Sequence, residues 1–239
     1  MKERSILFSA EMIRAILDGR KSQTRRVIRP QPIFADDGEC WYPSETHKKG
    51  LLYGSEISFR RWLATSFSPY GQPGDRLWVR ETWGIGTRPC PFNGWVDGIE
   101  YKADELLIDD NSDLTLYLPV NLPDDICLGD YEKKGWTPSI HMPRWASRIM
   151  LEITGVRVER VQEISEEDAQ AEGVERPILR LGPNGSRADN EFEHWPIHPL
   201  TGEYKDAYRT LWDKLNAKRG FGWDINPWAW VLEFKVVKP

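Results

Sequence analysis

Three stretches of this chain, residues 31–72, 84–135 and 175–203, show no sustained hydrophobic period. They separate short segments whose apolar residues do recur at strand or helix spacing. A doubly wound parallel sheet needs strand and helix patterns in regular succession, and no such rhythm runs through this sequence. The few short strands and helices that remain predict an α+β protein built on one small, mostly antiparallel β-barrel with flanking short helices. The three aperiodic stretches are then long loop insertions in a single domain spanning residues 1–239. Loops of such length are usually functional rather than filler.

The periodic segments can be taken in order. Ser5–Phe8 reads as an opening strand, after which Ser9 can cap a helix bearing Met12, Ile13, Ile16 and Leu17. Gly19 stands where a helix end favours a left-handed residue. RKSQTRRVIRP then turns into a short strand at Val27–Ile28 and stops at Pro30. PGDRLWVRETW, Pro73–Trp83, reads as a turn followed by an alternating strand. TPSIHMPRWASRI, Thr137–Ile149, leads into the clearest strand, where Ile149, Leu151 and Ile153 alternate with Met150, Glu152 and Thr154. A turn is expected at Gly155, before Val156, Val158 and Val161. ISEEDAQAEGV, Ile164–Val174, is a short helix with Ser165 and Asp168 as a capping box and Gly173 at its end. A helix over Tyr204–Asn216 carries Ala207, Tyr208, Leu211, Trp212 and Leu215 on one face, and WAWVLEFKVV closes the chain as a strand.

Composition narrows the function classes. Thirty-two Lys and Arg against 37 Asp and Glu leave a net charge of −5, which excludes polyanion binding through overall charge. The balance reverses locally, where Arg14, Arg20, Lys21, Arg25, Arg26 and Arg29 are opposed only by Asp18. Twelve tryptophans supply core volume and also flat faces for stacking on bases. Cys40, Cys90 and Cys127 are too few and scattered for a disulfide framework or a zinc site. His47, His141, His194 and His198 have no nucleophile or ligand beside them in sequence, so neither a metal nor a cofactor is expected. With no apolar run of about 18 residues and no secretory signal, a cytoplasmic protein without membrane contact is expected.

Two features can carry chemistry. In GRKSQT, Gly19–Thr24, a lysine three residues before a threonine can bring an ammonium and a hydroxyl together at a turn. That is a form of activated-nucleophile catalysis, and the competing reading is a basic loop that grips phosphates. Glu172 follows the capped turn beside Gly173 and so differs from the solvated Glu166 and Glu167, although one more surface acid is the plain alternative.

The order of the opening strand, ILDGRKSQTRR, PGDRLWV, ISEEDAQAEGV and the terminal WVLEFK resembles the ASCH family. Its fold is a PUA-like β-barrel that is also found in RNA-modifying proteins. Within the family the chain is similar to small bacterial N4-acetylcytidine amidohydrolases, which carry a G-[RK]-K-x-x-T motif, a GD turn, an LTxxxAxxE-type helix and a final IEFK strand. The longer blocks PGDRLWVRETW and PSIHMPRWASRI look like ASCH proteins carried by phages and prophages. The resemblance implies Lys21, Thr24 and Glu172 as catalytic groups, with Arg26 at the arginine two residues after the threonine.

The activity so implied is hydrolysis of an acyl group from N4 of a cytidine-like nucleoside, without metal. Thr24 would attack the acyl carbonyl, with Lys21 orienting it or taking its proton. Glu172 would protonate the leaving nitrogen or assist water. A lysine base must come down from ~10.4 to roughly 7–8, and an ionised glutamate beside it pushes the other way. Either Glu172 is protonated and Lys21 is the base, or Lys21 is a charged positioner and Glu172 is the base. Arg25, Arg26, Trp78 and Trp83 are candidates to hold the base or its phosphate, while barrel core or loop anchoring is the alternative for Trp78, Trp83, Trp145 and Trp230. The rival functions are a non-catalytic RNA- or DNA-binding ASCH module, gripping phosphates through Arg14–Arg29, and a ribonuclease.

Overall fold

A computed structural model of the 239-residue chain describes residues 1–34, 40–44, 47–53, 55–90, 94–105, 135–176, 178–180, 197–201 and 203–238. The strands are β1 Glu3–Leu7, β2 Gln23–Val27, β3 Ile33–Phe34, β4 Cys40–Ser44, β5 His47–Tyr53 and β6 Arg76–Arg80. They continue with β7 Trp83–Cys90, β8 Gly94–Tyr101, β9 Met150–Arg160, β10 Ile178–Arg180, β11 Ile197–Thr201 and β12 Trp228–Val237. The helices are α1 Ala10–Leu17, α2 Glu56–Ser66, α3 Lys102–Glu105, α4 Glu166–Ala171 and α5 Tyr204–Asn216.

The protein is a mixed α+β chain whose main sheet has five strands in the order β1-β6-β9-β12-β2. The expected closed barrel is not seen. Closure would require the edge strands β1 and β2 to pair, and among the described residues no such pairing exists. The strands β3-β4-β5, β7-β8 and β10-β11 form separate small antiparallel sheets instead of barrel staves. No helix among the described residues is long and apolar enough to cross a membrane.

Two compact units divide the chain. The first comprises Met1–Gly19, Pro69–Gly155 and Phe234–Pro239. In it β1 runs parallel to β6, from Glu3 opposite Arg76 to Leu7 opposite Arg80, and β6 runs antiparallel to β9. Ser9 caps α1 by accepting the Met12 N–H at 3.4 Å, and the helix buries Ile13, Ala15 and Ile16. The PGD turn forms as its sequence predicts. Gly74 takes φ +90°, and the Asp75 carboxylate receives the backbone N–H groups of Lys2 at 2.7 Å and Gln72 at 3.2 Å. After it, β6 alternates half-buried Arg76, Trp78 and Arg80 with buried Leu77 and Val79.

The second unit comprises Arg20–Ser68 and Val156–Glu233. Here β2 pairs antiparallel with β12, with Thr24 opposite Leu232 and Arg25 opposite Val231. A core of Val161, Ile164, Ala169, Tyr208, Trp212, Trp223 and Ala229 lies under α4 and α5. Trp228 is enclosed between two guanidinium groups, Arg60 at 4.6 Å and Arg160 at 4.3 Å from its ring centroid.

Several local expectations change. Strand β2 begins at Gln23, not Val27, because Gln23–Val27 pairs along β12. Gly155 lies inside β9 rather than in a turn, and its backbone is not in the left-handed region. The stretch 31–72 contains α2, an eleven-residue helix that buries Phe59, Leu63 and Ala64. The stretch 84–135 opens with the β7–β8 hairpin, and residues 106–134 lie outside the described residues. Within 175–203, β10 and β11 are described, whereas residues 181–196 are not.

Candidate active site

The second unit brings three of the expected residues together by backbone geometry. Ser165 caps α4, accepting the Asp168 N–H at 3.1 Å, and the helix ends at Glu172, whose N–H bonds the Asp168 carbonyl. Gly173 then reverses the chain at φ +81°. At this end Lys21 and Glu172 form an antiparallel bridge, and the Ser22 N–H donates to the Ala171 carbonyl at 2.9 Å. The two side chains are thereby directed at each other. Lys21 Nζ donates to Glu172 Oε2 at 2.8 Å and to the Glu172 carbonyl at 2.7 Å.

This pair is almost completely removed from water, with side-chain exposures of 0% for Lys21 and 3% for Glu172. Burial holds the Lys21 amine below its ordinary value. Glu172 pulls the other way, while the nearby positive charges of Arg26 and Arg25 add to the lowering. Glu172 Oε1 is buried and accepts no hydrogen bond among the described residues, although Arg25 Nη1 stands 3.5 Å away.

Arg25 is the third member, and its side chain has no exposed surface. Its Nη2 donates to Asp168 Oδ2 at 2.7 Å and Glu159 Oε2 at 3.0 Å. Burial works against the Arg25 charge, but Glu172, Asp168 and Glu159 more than offset it and hold the group protonated. Arg157 braces the two outer acids, from Nη2 to Asp168 at 3.0 Å and from Nε to Glu159 at 2.8 Å. The Gln23 amide fits with its nitrogen on Asp168 Oδ1 and its oxygen on Arg25. Tyr208, on α5, lies with its ring centroid 6.0 Å from the Arg25 guanidinium carbon. Burial, and then the charge of Glu172, pushes its hydroxyl well above the ordinary tyrosine value, so it stays an O–H.

The other expected residues have different settings. Thr24 is buried on β2, and among the described residues its hydroxyl bonds neither Lys21 nor Glu172. Arg26 alternates with Arg25 along β2 and is half-buried. Arg25 is turned inward onto carboxylates and does not present its guanidinium to solvent as a phosphate contact requires. Of the basic segment Arg14–Arg29, Lys21 and Arg25 are both enclosed, while Arg20 and Arg29 remain exposed. Trp83 belongs to the first unit, 1% exposed in a core with Ile99, Tyr101, Met142 and Ala146, and it meets Trp145 edge-on at 5.5 Å. Trp78, also in the first unit, is half-buried under the Arg80 guanidinium at 4.7 Å. Trp230 is buried on β12.

Sequence reasoning did not single out Glu159, Arg157, Asp168 or Tyr208 for the site. Asp168 reads in sequence as half of a capping box, but its carboxylate is held by Arg25 and Arg157. Tyr208 sits among apolar helix positions and reads as core. The usable signal was in β9, where Arg157 and Glu159 place opposite charges two residues apart on one strand face.

No family model and no curated protein matches the chain. In structure it is similar to the crystal structure of an ASCH domain from Lactobacillus crispatus, at 13% sequence identity and a TM-score of 0.35, over 100% of this chain and 81% of that one.

Proposed function

We propose that this chain is a PUA-like ASCH protein acting as a metal-independent amidohydrolase, which removes acyl groups from the exocyclic N4 of cytidine-like nucleosides. The observation that carries the reading is the Lys21–Glu172 pair, buried at 2.8 Å with one carboxylate oxygen left without a hydrogen bond. A buried amine held below its ordinary value can accept a proton, and a carboxyl group beside it can supply one.

The proton count closes over the cycle. With the pair's proton on Glu172 rather than on Lys21, the neutral amine takes the proton from the Thr24 hydroxyl as Oγ1 bonds to the acyl carbon. The C–N4 bond then breaks, and Glu172 gives its proton to the leaving nitrogen, which departs as the amine of cytidine. The pair is now ammonium and carboxylate. Glu172 next takes a proton from water as that water attacks the acyl-threonine, and Lys21 returns its proton to Thr24 as the acid leaves. The Thr24 hydroxyl must reach Lys21 for this step, and catalytic contacts of this kind often close only with substrate bound.

The test is purified protein with N4-acetylcytidine and EDTA, followed by ultraviolet absorbance as cytidine forms. Turnover is expected, with a loss of about 10² or more in Thr24→Ala. Absence of turnover on N4-acylated cytidines, or full activity in Thr24→Ala, contradicts the reading. The rival RNA-binding reading predicts binding that weakens steeply with salt and survives Thr24→Ala. Lys21 and Arg25 are enclosed, which leaves that reading fewer cations for phosphate.

A further inference from the structure

Glu172 has two chemically different oxygens. Oε2 is tied to Lys21 Nζ at 2.8 Å, while Oε1 is enclosed by protein and accepts no hydrogen bond among the described residues. A buried carboxylate oxygen without a donor is costly, and such an exception calls for a cause. Arg25 Nη1 is the nearby cation, but 3.5 Å exceeds the ordinary N–H···O range, so it supplies charge without occupying the oxygen. Its other terminal nitrogen explains why it comes no closer. Nη2 is held by Asp168 at 2.7 Å and Glu159 at 3.0 Å, and Arg157 fixes both of those acids.

We propose that Arg25 is a positioning residue: anchored by Asp168 and Glu159, it keeps Glu172 Oε2 on Lys21 without bonding Oε1, the oxygen that exchanges a proton with the substrate's exocyclic nitrogen. This rests on the amidohydrolase reading of the same site. Arginine suits the position because a planar fork addresses several carboxylates at once, which an ammonium does as a point charge. The charged and titratable groups around the pair are Arg25 and Arg26 from β2, Glu159 from β9, Asp168 from α4 and Tyr208 from α5. Arg25 therefore also bears on Lys21. Its fixed positive charge disfavours the ammonium, so its removal moves the amine's titration toward higher pH.

The experiment compares the full chain with Arg25→Gln and Arg25→Lys. One readout is kcat and KM for N4-acetylcytidine across pH, and the other is the Lys21 titration followed by NMR of ¹³C-labelled lysine, assigned with Lys21→Met. For Arg25→Gln, kcat falls about tenfold or more with KM nearly unchanged, as expected when a reacting group is misplaced. Its rate profile shifts to higher pH, and its Lys21 midpoint rises. For Arg25→Lys, which retains the charge, the midpoint and profile stay in place while kcat still falls. An unchanged Lys21 midpoint in Arg25→Gln overturns the proposal, as does full kcat in Arg25→Lys. A raised KM at unchanged kcat also overturns it, because that pattern marks a substrate contact. If the wild type does not turn over N4-acetylcytidine, the amidohydrolase reading falls, and the Lys21 titration still decides whether Arg25 controls the pair.

Discussion

In the first unit, Arg148 grips two acids through four hydrogen bonds. Its Nε and Nη2 reach both oxygens of Glu81 at 3.0 Å, and its Nη1 and Nη2 reach both oxygens of Asp104 at 2.9 and 2.8 Å. Its face lies 3.9 Å from the centroid of the Tyr101 ring, whose hydroxyl is fixed on the Ala146 carbonyl. The Lys21–Glu172–Arg25 cluster in the second unit is more enclosed, yet among the described residues it leaves Glu172 Oε1 and Arg25 Nε without hydrogen bonds. Burial also pulls its lysine toward the neutral form. A satisfied buried network rigidifies a fold, whereas a partly satisfied one has donors and acceptors left for another molecule. On the proposed function, the first cluster serves structure and the second serves chemistry.

The largest expected effect breaks the structural cluster. Arg148→Ala leaves Glu81 buried beside Asp104 with no cation, and burial already pushes the Glu81 carboxyl up. Urea unfolding should show a loss of about 3–5 kcal/mol. A loss below ~1 kcal/mol would remove the distinction between the two clusters.

Lys21→Met comes next and should separate stability from activity. The methionine removes a desolvated amine, and Arg25 remains 3.5 Å from the carboxylate. The stability loss should therefore be well under that of Arg148→Ala, while kcat falls by about 10² or more. A stability loss as large as that of Arg148→Ala would place this pair among the structural contacts.

A smaller effect should appear in the pH dependence of stability. Because the folded-state pKa of Lys21 lies below its unfolded value, the unfolded chain binds more protons between the folded pKa and about 10.4. Wild-type stability should thus rise relative to Lys21→Met as pH climbs through that window, measured by urea titrations at successive pH values. A constant difference would mean the amine is not depressed.

Asp75→Asn should give the smallest shift, as a control for a half-buried charge on the PGD turn. Its carboxyl is held low by the Lys2 and Gln72 N–H groups, so its contribution is present above the ordinary aspartate range and lost as pH falls through the folded pKa. Thermal melts of variant and wild type should converge in acid.

What could be read beforehand follows from how local each signal is. The cap at Ser9, the PGD turn, the helix Tyr204–Asn216 and the strand Trp228–Val237 are set by neighbouring residues, and all appear in the structure at those places. Helix α2 was not readable because its apolar face is only Phe59, Leu63 and Ala64, set among exposed Glu56, Ile57 and Arg61. The open sheet was not readable either, since whether β1 meets β2 depends on pairing between distant segments. In the site, Lys21 and Glu172 stand 151 positions apart, and only the family resemblance names them together. The role of Arg25 was not, because three carboxylates from Glu159, Asp168 and Glu172 converge on it only after folding.

The most direct test of the contrast is kcat for N4-acetylcytidine in Glu172→Gln. The amide keeps the shape of the side chain and can still contact Lys21 and Arg25, but it cannot donate a carboxyl proton or take one from water. The account predicts that kcat falls by about 10² or more while unfolding by urea stays close to wild type. A Glu172→Gln protein that turns over at the full rate would contradict it.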